Sequence, residues 1–126
     1  MSGFHTNIEK DSLDNDLFRK VLYTTQRSQL VIMSVQAGDD IGMEVHEDHD
    51  QFIRIEEGQG KAIIDDDEYE LADGSAVVIP AGSNHNIINT GSGPLRLYTI
   101  YTPPEHADGT IHATRAEAME AEEHSH

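Results

Sequence analysis

Between Val21 and Pro104 the chain is a succession of short apolar runs, each closed by a turn former, and none carries helical periodicity. "QLVIMSVQAG" (29–38), "QFIRIEEGQG" (51–60), "AVVIPAG" (76–82) and "HNIINTGSG" (85–93) each end in turn-forming residues. "KAIIDDDEYEL" (61–71) reads as a hairpin turning at the Asp65–Asp67 run, where short acidic side chains tolerate a tight bend. "LRLYTIYTPP" (95–104) alternates, with Leu95, Leu97, Thr99 and Tyr101 on one face and Arg96, Tyr98 and Ile100 on the other. Roughly eight short strands without long helices to cover them must bury their apolar faces against each other, as a β-sandwich or barrel.

The two ends differ from this middle. Residues 1–20 are polar and read as an extended arm with a short turn of helix around "LDNDLFRKVL". The end, "TRAEAMEAEEHSH" (114–126), is rich in Ala and Glu, and Thr114 with Glu117 has the spacing of a capping box. A short acidic helix from about Arg115, fraying into a mobile "EEHSH", is expected there. The organisation predicted is therefore an N-terminal arm over 1–20, a β-barrel over 21–113, and a C-terminal helix and tail over 114–126. At 126 residues the chain suits one domain with a real core.

Charge narrows the partners. Twenty-four Asp and Glu face eight Lys and Arg, a net charge of −16. That argues against nucleic acid, whose phosphates need cations, and against anionic membrane surfaces. A well-solvated surface, suited to high salt, is the simplest reading, with a cationic partner as the alternative. Without cysteine there is neither disulfide nor thiolate chemistry, so any metal must be held by nitrogen and oxygen. The start lacks a signal-peptide pattern and no run is long enough to span a bilayer, so a cytoplasmic location is expected.

Two stretches carry candidate chemistry. In "DGSAVVIPAGSNHNIIN" (73–89), Pro80 and Gly82 fit the second and fourth positions of a type I turn. His85 then opens a strand on which His85, Ile87 and Asn89 share a face. An imidazole among isoleucines needs its ring nitrogens satisfied, by hydrogen bonds within the core or by a metal. In "GMEVHEDHDQF" (42–52), Glu44 and His46 point to one face while Met43 and Val45 point to the other. After the loop "EDHD", Gln51 shares a face with Ile53 and Ile55. A lone carboxylate turned toward an apolar interior is costly, and a divalent cation removes that cost.

These spacings resemble the cupins, small double-stranded β-helix (jelly-roll) proteins defined by two motifs. The second motif is matched throughout by Gly74, Pro80, Gly82, His85 and Asn89. The first is matched in spacing by Gly38, Glu44, His46, Gln51 and Gly58, but Glu44 stands where the family usually has histidine and Gln51 where it usually has glutamate. The resemblance covers roughly residues 30–104 and fits best the single-domain cupins of mannose-6-phosphate-isomerase-like type. It implies an all-β jelly-roll barrel. It also implies a divalent transition metal (Fe, Mn, Ni, Co or Zn) held by Glu44, His46, Gln51 and His85, weakly at Gln51. Three functions follow as alternatives: metal-assisted oxygenase or sugar isomerase/epimerase chemistry on a small polar molecule, a non-catalytic metal- or ligand-binding module, or a metal-free structural dimer in which Gln51 satisfies Glu44. No catalytic base or nucleophile stands out in the sequence.

His49 is placed in the loop between strands, as a rim residue that replaces Gln51 only if it swings inward. His106 and His112 read as parts of a loop crossing the barrel or a dimer contact, and His124 and His126 as tail residues able to scavenge metal. Phe52, Tyr98 and Tyr101 read as core or dimer-interface residues, and Arg54 as the partner of a carboxylate. A homodimer is expected from the family, with Val31, Met33, Ile88 and Ile100 as candidate outer apolar positions.

Overall fold

The structure, a computed structural model, describes residues 2–124, without the side chains of 123 and 124. In chain order the elements are α1 (Ile8–Leu13), β1 (Arg19–Thr24), β2 (Gln29–Val35), β3 (Glu44–Val45), β4 (Asp50–Glu57), β5 (Gly60–Ile64), β6 (Asp67–Leu71), β7 (Ala76–Ile79), β8 (Asn84–Asn89), β9 (Leu95–Thr102), β10 (Ile111–His112) and α2 (Arg115–His124). Ten strands form two antiparallel sheets, ordered β10-β1-β2-β9-β4-β7 and β3-β8-β5-β6. The inner faces of the two sheets meet as a jelly roll, the fold class expected. Val31, Met33, Ile53, Ile55, Leu95 and Leu97 from the larger sheet pack with Ala62 and Ile87 from the smaller.

The alternation read in "LRLYTIYT" holds: β9 buries Leu95, Leu97, Thr99 and Tyr101, leaves Arg96, Tyr98 and Ile100 partly covered, and exposes Thr102. β9 is the hinge of the architecture, because it pairs with β2 on one side and β4 on the other. One register row brings Gln29, Tyr101, Gln51 and Ile79 side by side across four strands, at one end of the barrel interior. That row becomes the floor of the site described below.

Three turns set the positions of functional residues. The β5–β6 hairpin closes through Asp65, whose φ of 53° is left-handed. Its Oδ1 accepts from the Asn84 amide at 3.0 Å, locking the turn to the first residue of β8. The turn after β7 lies one residue later than the sequence reading. Ser83 N–H donates to Pro80 O at 3.2 Å, so Gly82 is the third position, with φ +88°, a conformation that favours glycine. Gly82 N–H in turn donates to the His46 carbonyl at 2.9 Å. Asn89, at the far end of β8, donates to Val35 O at 2.9 Å and Gly93 O at 2.8 Å and accepts from Gly91 N–H at 2.8 Å, so its role in the motif is architectural.

Two expectations are corrected. The N-terminal helix lies over Ile8–Leu13, capped by the Asn7 side chain, and not around residues 13–22. Asn15 hydrogen-bonds both the N–H and the C=O of Leu17, turning the chain so that Phe18, Arg19 and Val21 enter the interior as β1 begins. Val31 and Met33 are fully enclosed core residues and cannot form an outer dimer face; their apolar run is buried on both sides, Ile32 included. Ile88 and Ile100 are partly covered. At the other end α2 begins at Arg115, and Glu117 N–H donates to Thr114 Oγ1 at 3.1 Å, as the capping pattern requires. His126 lies outside the described residues, as does the His124 side chain.

Candidate metal centre

β3 and β8 are antiparallel neighbours with Glu44 directly opposite His85. His46 follows β3 by one residue and stays on the same face, since Met43 and Val45 between these positions point outward and are exposed. The result is that one oxygen of Glu44 and one ring nitrogen each of His46 and His85 all lie within 4.8 Å of one another. The His46 and His85 rings are 5.1 Å apart. Glu44 Oε2 is 2.8 Å from His46 Nε2, yet Nε2 has no aligned hydrogen-bond partner. Acceptor and nitrogen face a common point, as ligand atoms do, and the pair is not arranged along an N–H direction.

Gln51 reaches the same region from β4. It is buried, its Nε2 donates to Thr99 Oγ1 at 3.0 Å, and its Oε1 is enclosed without a partner. Thr99 thus holds the amide so that the carbonyl oxygen is the free end. A buried carbonyl left unpaired costs about 1–3 kcal/mol, while His46 Nε2 has only the Glu44 carboxylate beside it, at 2.8 Å. That unpaired oxygen lies in the same region as a group of one carboxylate and two imidazoles that could hold a metal ion, a donor set suited to divalent iron and its neighbours.

Electrostatics agree with this arrangement. Burial alone pulls the His46 pKa down, but the Glu44 and Glu105 carboxylates outweigh it and hold the pKa above the usual histidine value. Burial dominates at His85 and lowers its pKa, which keeps the ring neutral and able to ligate. His85 Nδ1 lies 3.1 Å from the Ser83 carbonyl, leaving Nε2 for the interior. His46 Nδ1 faces Glu105 Oε2 at 3.5 Å, the kind of outer carboxylate that orients a ligating imidazole.

His49 stays on the rim, as expected. Its Nδ1 is 2.7 Å from the Pro103 carbonyl and its Nε2 is 2.9 Å from the same Glu105 oxygen that faces His46. Arg54 is exposed and pairs with Glu56 at 3.2 Å. Phe52 and Tyr98 contact each other at 6.2 Å on the far side of the sheet from the triad. A cleft of about 620 Å³ runs between β6 and β7, lined by Asp65, Asp67, Tyr69, Glu70 and Val78 among others, and holds none of the converging side chains.

Comparison with known proteins places this geometry. The family profile described as "Cupin domain" matches residues 31–101, more than half of the chain. The chain is a cupin. It is 44% identical over 126 residues to the uncharacterized Bacillus subtilis protein YrkC, covering 95% of this chain and 68% of that one. It is 40% identical over 116 residues to the uncharacterized protein L612 of Acanthamoeba polyphaga mimivirus, covering 89% of this chain and 72% of the other. The crystal structure of BH2720 from Bacillus halodurans superposes with a TM-score of 0.93 at 44% identity, over 94% of this cupin and 95% of that protein. Among the described residues of this cupin, no helix is long and apolar enough to cross a membrane.

The cupin interior also holds residues that sequence reasoning did not assign to the site. The Tyr101 ring lies edge-on between His46, at 5.9 Å, and His106, at 5.2 Å. Burial drives the Tyr101 hydroxyl pKa well above its normal value, so it stays protonated. His106 enters on the segment after Pro104, held by Gln29, whose amide donates to the His106 carbonyl at 2.7 Å and whose carbonyl accepts from the His106 amide at 3.0 Å. Arg19 is 2% exposed on the same inner face. Alternation along β9 put Tyr101 on the core face without assigning it to the site, whereas Glu105 and Arg19 had no local signal pointing inward: each comes to the centre through strand pairing or a chain crossing far from the two motifs.

Proposed function

We propose that this cupin holds one divalent transition metal through Glu44, His46 and His85, with the Gln51 amide oxygen as a weaker fourth donor, and that it acts on a small polar molecule at that centre. The observation that carries this reading is the convergence of three ligand atoms within 4.8 Å, joined by the enclosed Gln51 Oε1, which has no hydrogen-bond partner. Such an ion, when bound, would supply Lewis-acid polarisation of a carbonyl or hydroxyl, or, if iron, dioxygen chemistry.

The chain's own residues divide the remaining work. Glu44 supplies the negative charge of the set, and its move to the position usually held by histidine, with Gln at the usual glutamate, keeps the ligand charge at −1. Glu105 orients His46 through Nδ1 and leaves Nε2 directed inward. His49 and Glu105, 2.9 Å apart at the mouth, form an imidazole–carboxylate pair able to take or deliver a proton to a bound molecule. This pair favours the catalytic reading, of oxygenase or isomerase type, over a passive binding module. Tyr101, Gln29, Gln51 and Ile79, all buried, close the inner side of the site against water.

Elemental analysis of untagged protein tests the reading. One metal per chain in the wild type, lost in both Glu44→Ala and His85→Ala, is expected. Absence of metal from every preparation, and from protein dialysed against Fe(II), Mn(II), Co(II), Ni(II) or Zn(II), overturns it. Oxygen uptake by the iron-loaded protein then separates oxygenase from isomerase chemistry.

A further inference from the structure

After β9 ends at Thr102, the chain crosses back towards β1, where the Thr110 carbonyl accepts from the Val21 amide. This strap carries Glu105 against His46 and His106 against Tyr101. Yet among the described residues no backbone group of residues 103–109 bonds to the backbone of the barrel. Such a crossing has no ladder of its own to fix where its side chains point.

One side chain from β2 supplies the missing restraint. Gln29 is 1% exposed, and its amide is used to capacity, with two donors and two acceptor sites all engaged. Its Nε2 donates to His106 O at 2.7 Å and to Thr24 Oγ1, on β1, at 3.0 Å. Its Oε1 accepts from the His106 amide at 3.0 Å and from the Glu105 amide at 3.3 Å. Three of these four bonds therefore hold the strap at the residue that carries the carboxylate and at its neighbour, and the fourth ties the amide to the adjacent strand. A glutamate at this position would have no donor for the His106 carbonyl, and a methionine would offer neither donor nor strong acceptor.

The carboxylate placed in this way is shared. Glu105 Oε2 is 3.5 Å from His46 Nδ1 and 2.9 Å from His49 Nε2, so a displaced strap would lose both contacts together. Gln29 stands in the same cross-strand row as Tyr101 and Gln51, which places the clasp and the amide donor of the site on one rigid sheet.

We propose that Gln29 is a positioning residue of the metal centre. It grips the strap by the backbone of Glu105 and His106, and so keeps the Glu105 carboxylate against His46 without itself touching metal or substrate. The effect on metal affinity rests on the centre proposed above; the hold on His46 through Glu105 does not.

Zn(II) competition titrations of Gln29→Met, Gln29→Glu, Glu105→Ala and the Gln29→Met/Glu105→Ala double variant test this. Gln29→Met is expected to weaken Zn(II) binding by about tenfold or more, with the ion count at saturation unchanged. The double variant is expected to match Glu105→Ala within about twofold, because the clasp acts through that carboxylate. A role confined to packing would lower stability and leave the affinity of the folded protein alone, or would add in full to Glu105→Ala; either result overturns the proposal. Gln29→Glu keeps the size, loses the donors and is expected to weaken binding in the same direction, which preserves the test if Gln29→Met does not fold. In metal-free protein the change that Gln29→Met makes in the His46 ring nitrogen resonances is expected to vanish when Glu105 is already alanine. His46 resonances unmoved by Gln29→Met overturn the proposal. In the wild type, hydrogen exchange at the Glu105 and His106 amides is expected to be slower by about tenfold or more than at the exposed Asp108 and Gly109, and equal rates overturn the clasp with no variant needed. If the wild type takes up no metal while the His46 resonances still depend on Gln29 through Glu105, the metal reading fails and the positioning role stands.

Discussion

Replacing His106 by Phe should remove a defined part of the protein's sensitivity to acid. His106 is packed edge-on against Tyr101 from β9, and it is faced by Arg19 from β1, His112 from β10, and His46 and His49 from the segment joining β3 and β4. Burial first, and then these positive or protonatable neighbours, push its pKa from 6.5 down to about 3. The folded chain therefore refuses a proton that the unfolded chain accepts, so the stability this neutral ring allows above pH 6.5 is lost as pH falls toward 3. Integrating proton uptake for this one group between pH 7.5 and 4.5 gives a loss of about 2.6 kcal/mol. At roughly 3 °C per kcal/mol for a chain of this size, that is a fall in Tm of roughly 8 °C. Phenylalanine keeps the ring contact with Tyr101 and cannot titrate. Carboxylates and His85 contribute to acid sensitivity in both proteins, so the difference between them isolates His106. Calorimetry of metal-free wild type and His106→Phe at both pH values should show the variant losing roughly 8 °C less. Parallel declines would refute the claim that His106 is held neutral inside the barrel.

Gln51→Glu should tighten metal binding by about tenfold or more in a competition titration against a chelator, because a carboxylate replaces an amide oxygen as donor. Glu105→Gln should weaken metal affinity by about 10–100-fold while the metal count at saturation stays the same, since Glu105 orients His46 and is not itself in the converging set. Gly58→Ala should destabilise the fold by about 2 kcal/mol or more in urea unfolding: Gly58 has φ +113°, and a Cβ there would stand 2.7 Å from the Pro94 carbonyl oxygen.

The fold was legible because β patterning and turn chemistry coincide in this chain. Alternation from Leu95 to Tyr101 and the acidic turn at Asp65 each specify local geometry that tertiary packing then keeps. Glu44, His46 and His85 were readable as neighbours because period-two placement on β3 and β8 decides which way each points, and antiparallel pairing sets Glu44 opposite His85. What was not readable travels over long sequence distance. Glu105 reaches His46 by a chain crossing, and Arg19 enters from β1, the strand beside β2 on the far side of β9. Neither position has periodicity or spacing to distinguish it from a surface charge, and in so acidic a chain the prior for any single charged residue is solvent. The N-terminal helix was placed too late because "LDNDLFRKVL" contains helix formers, while the deciding signals were the Asn7 cap before it and the Asn15 turn after it. Val31 and Met33 were assigned outward because a fully apolar run has no alternation to show which side faces the core.

Anomalous diffraction from crystals grown with Co(II) and recorded at the cobalt edge tests the metal centre most directly. A single peak per chain is predicted at about 2.0–2.2 Å from an oxygen of Glu44 and from one nitrogen each of His46 and His85, with Gln51 Oε1 at an equal or longer distance. A peak elsewhere, such as on the β6–β7 cleft or at the acidic surface, or density showing Glu44 turned away from His85, would contradict the account.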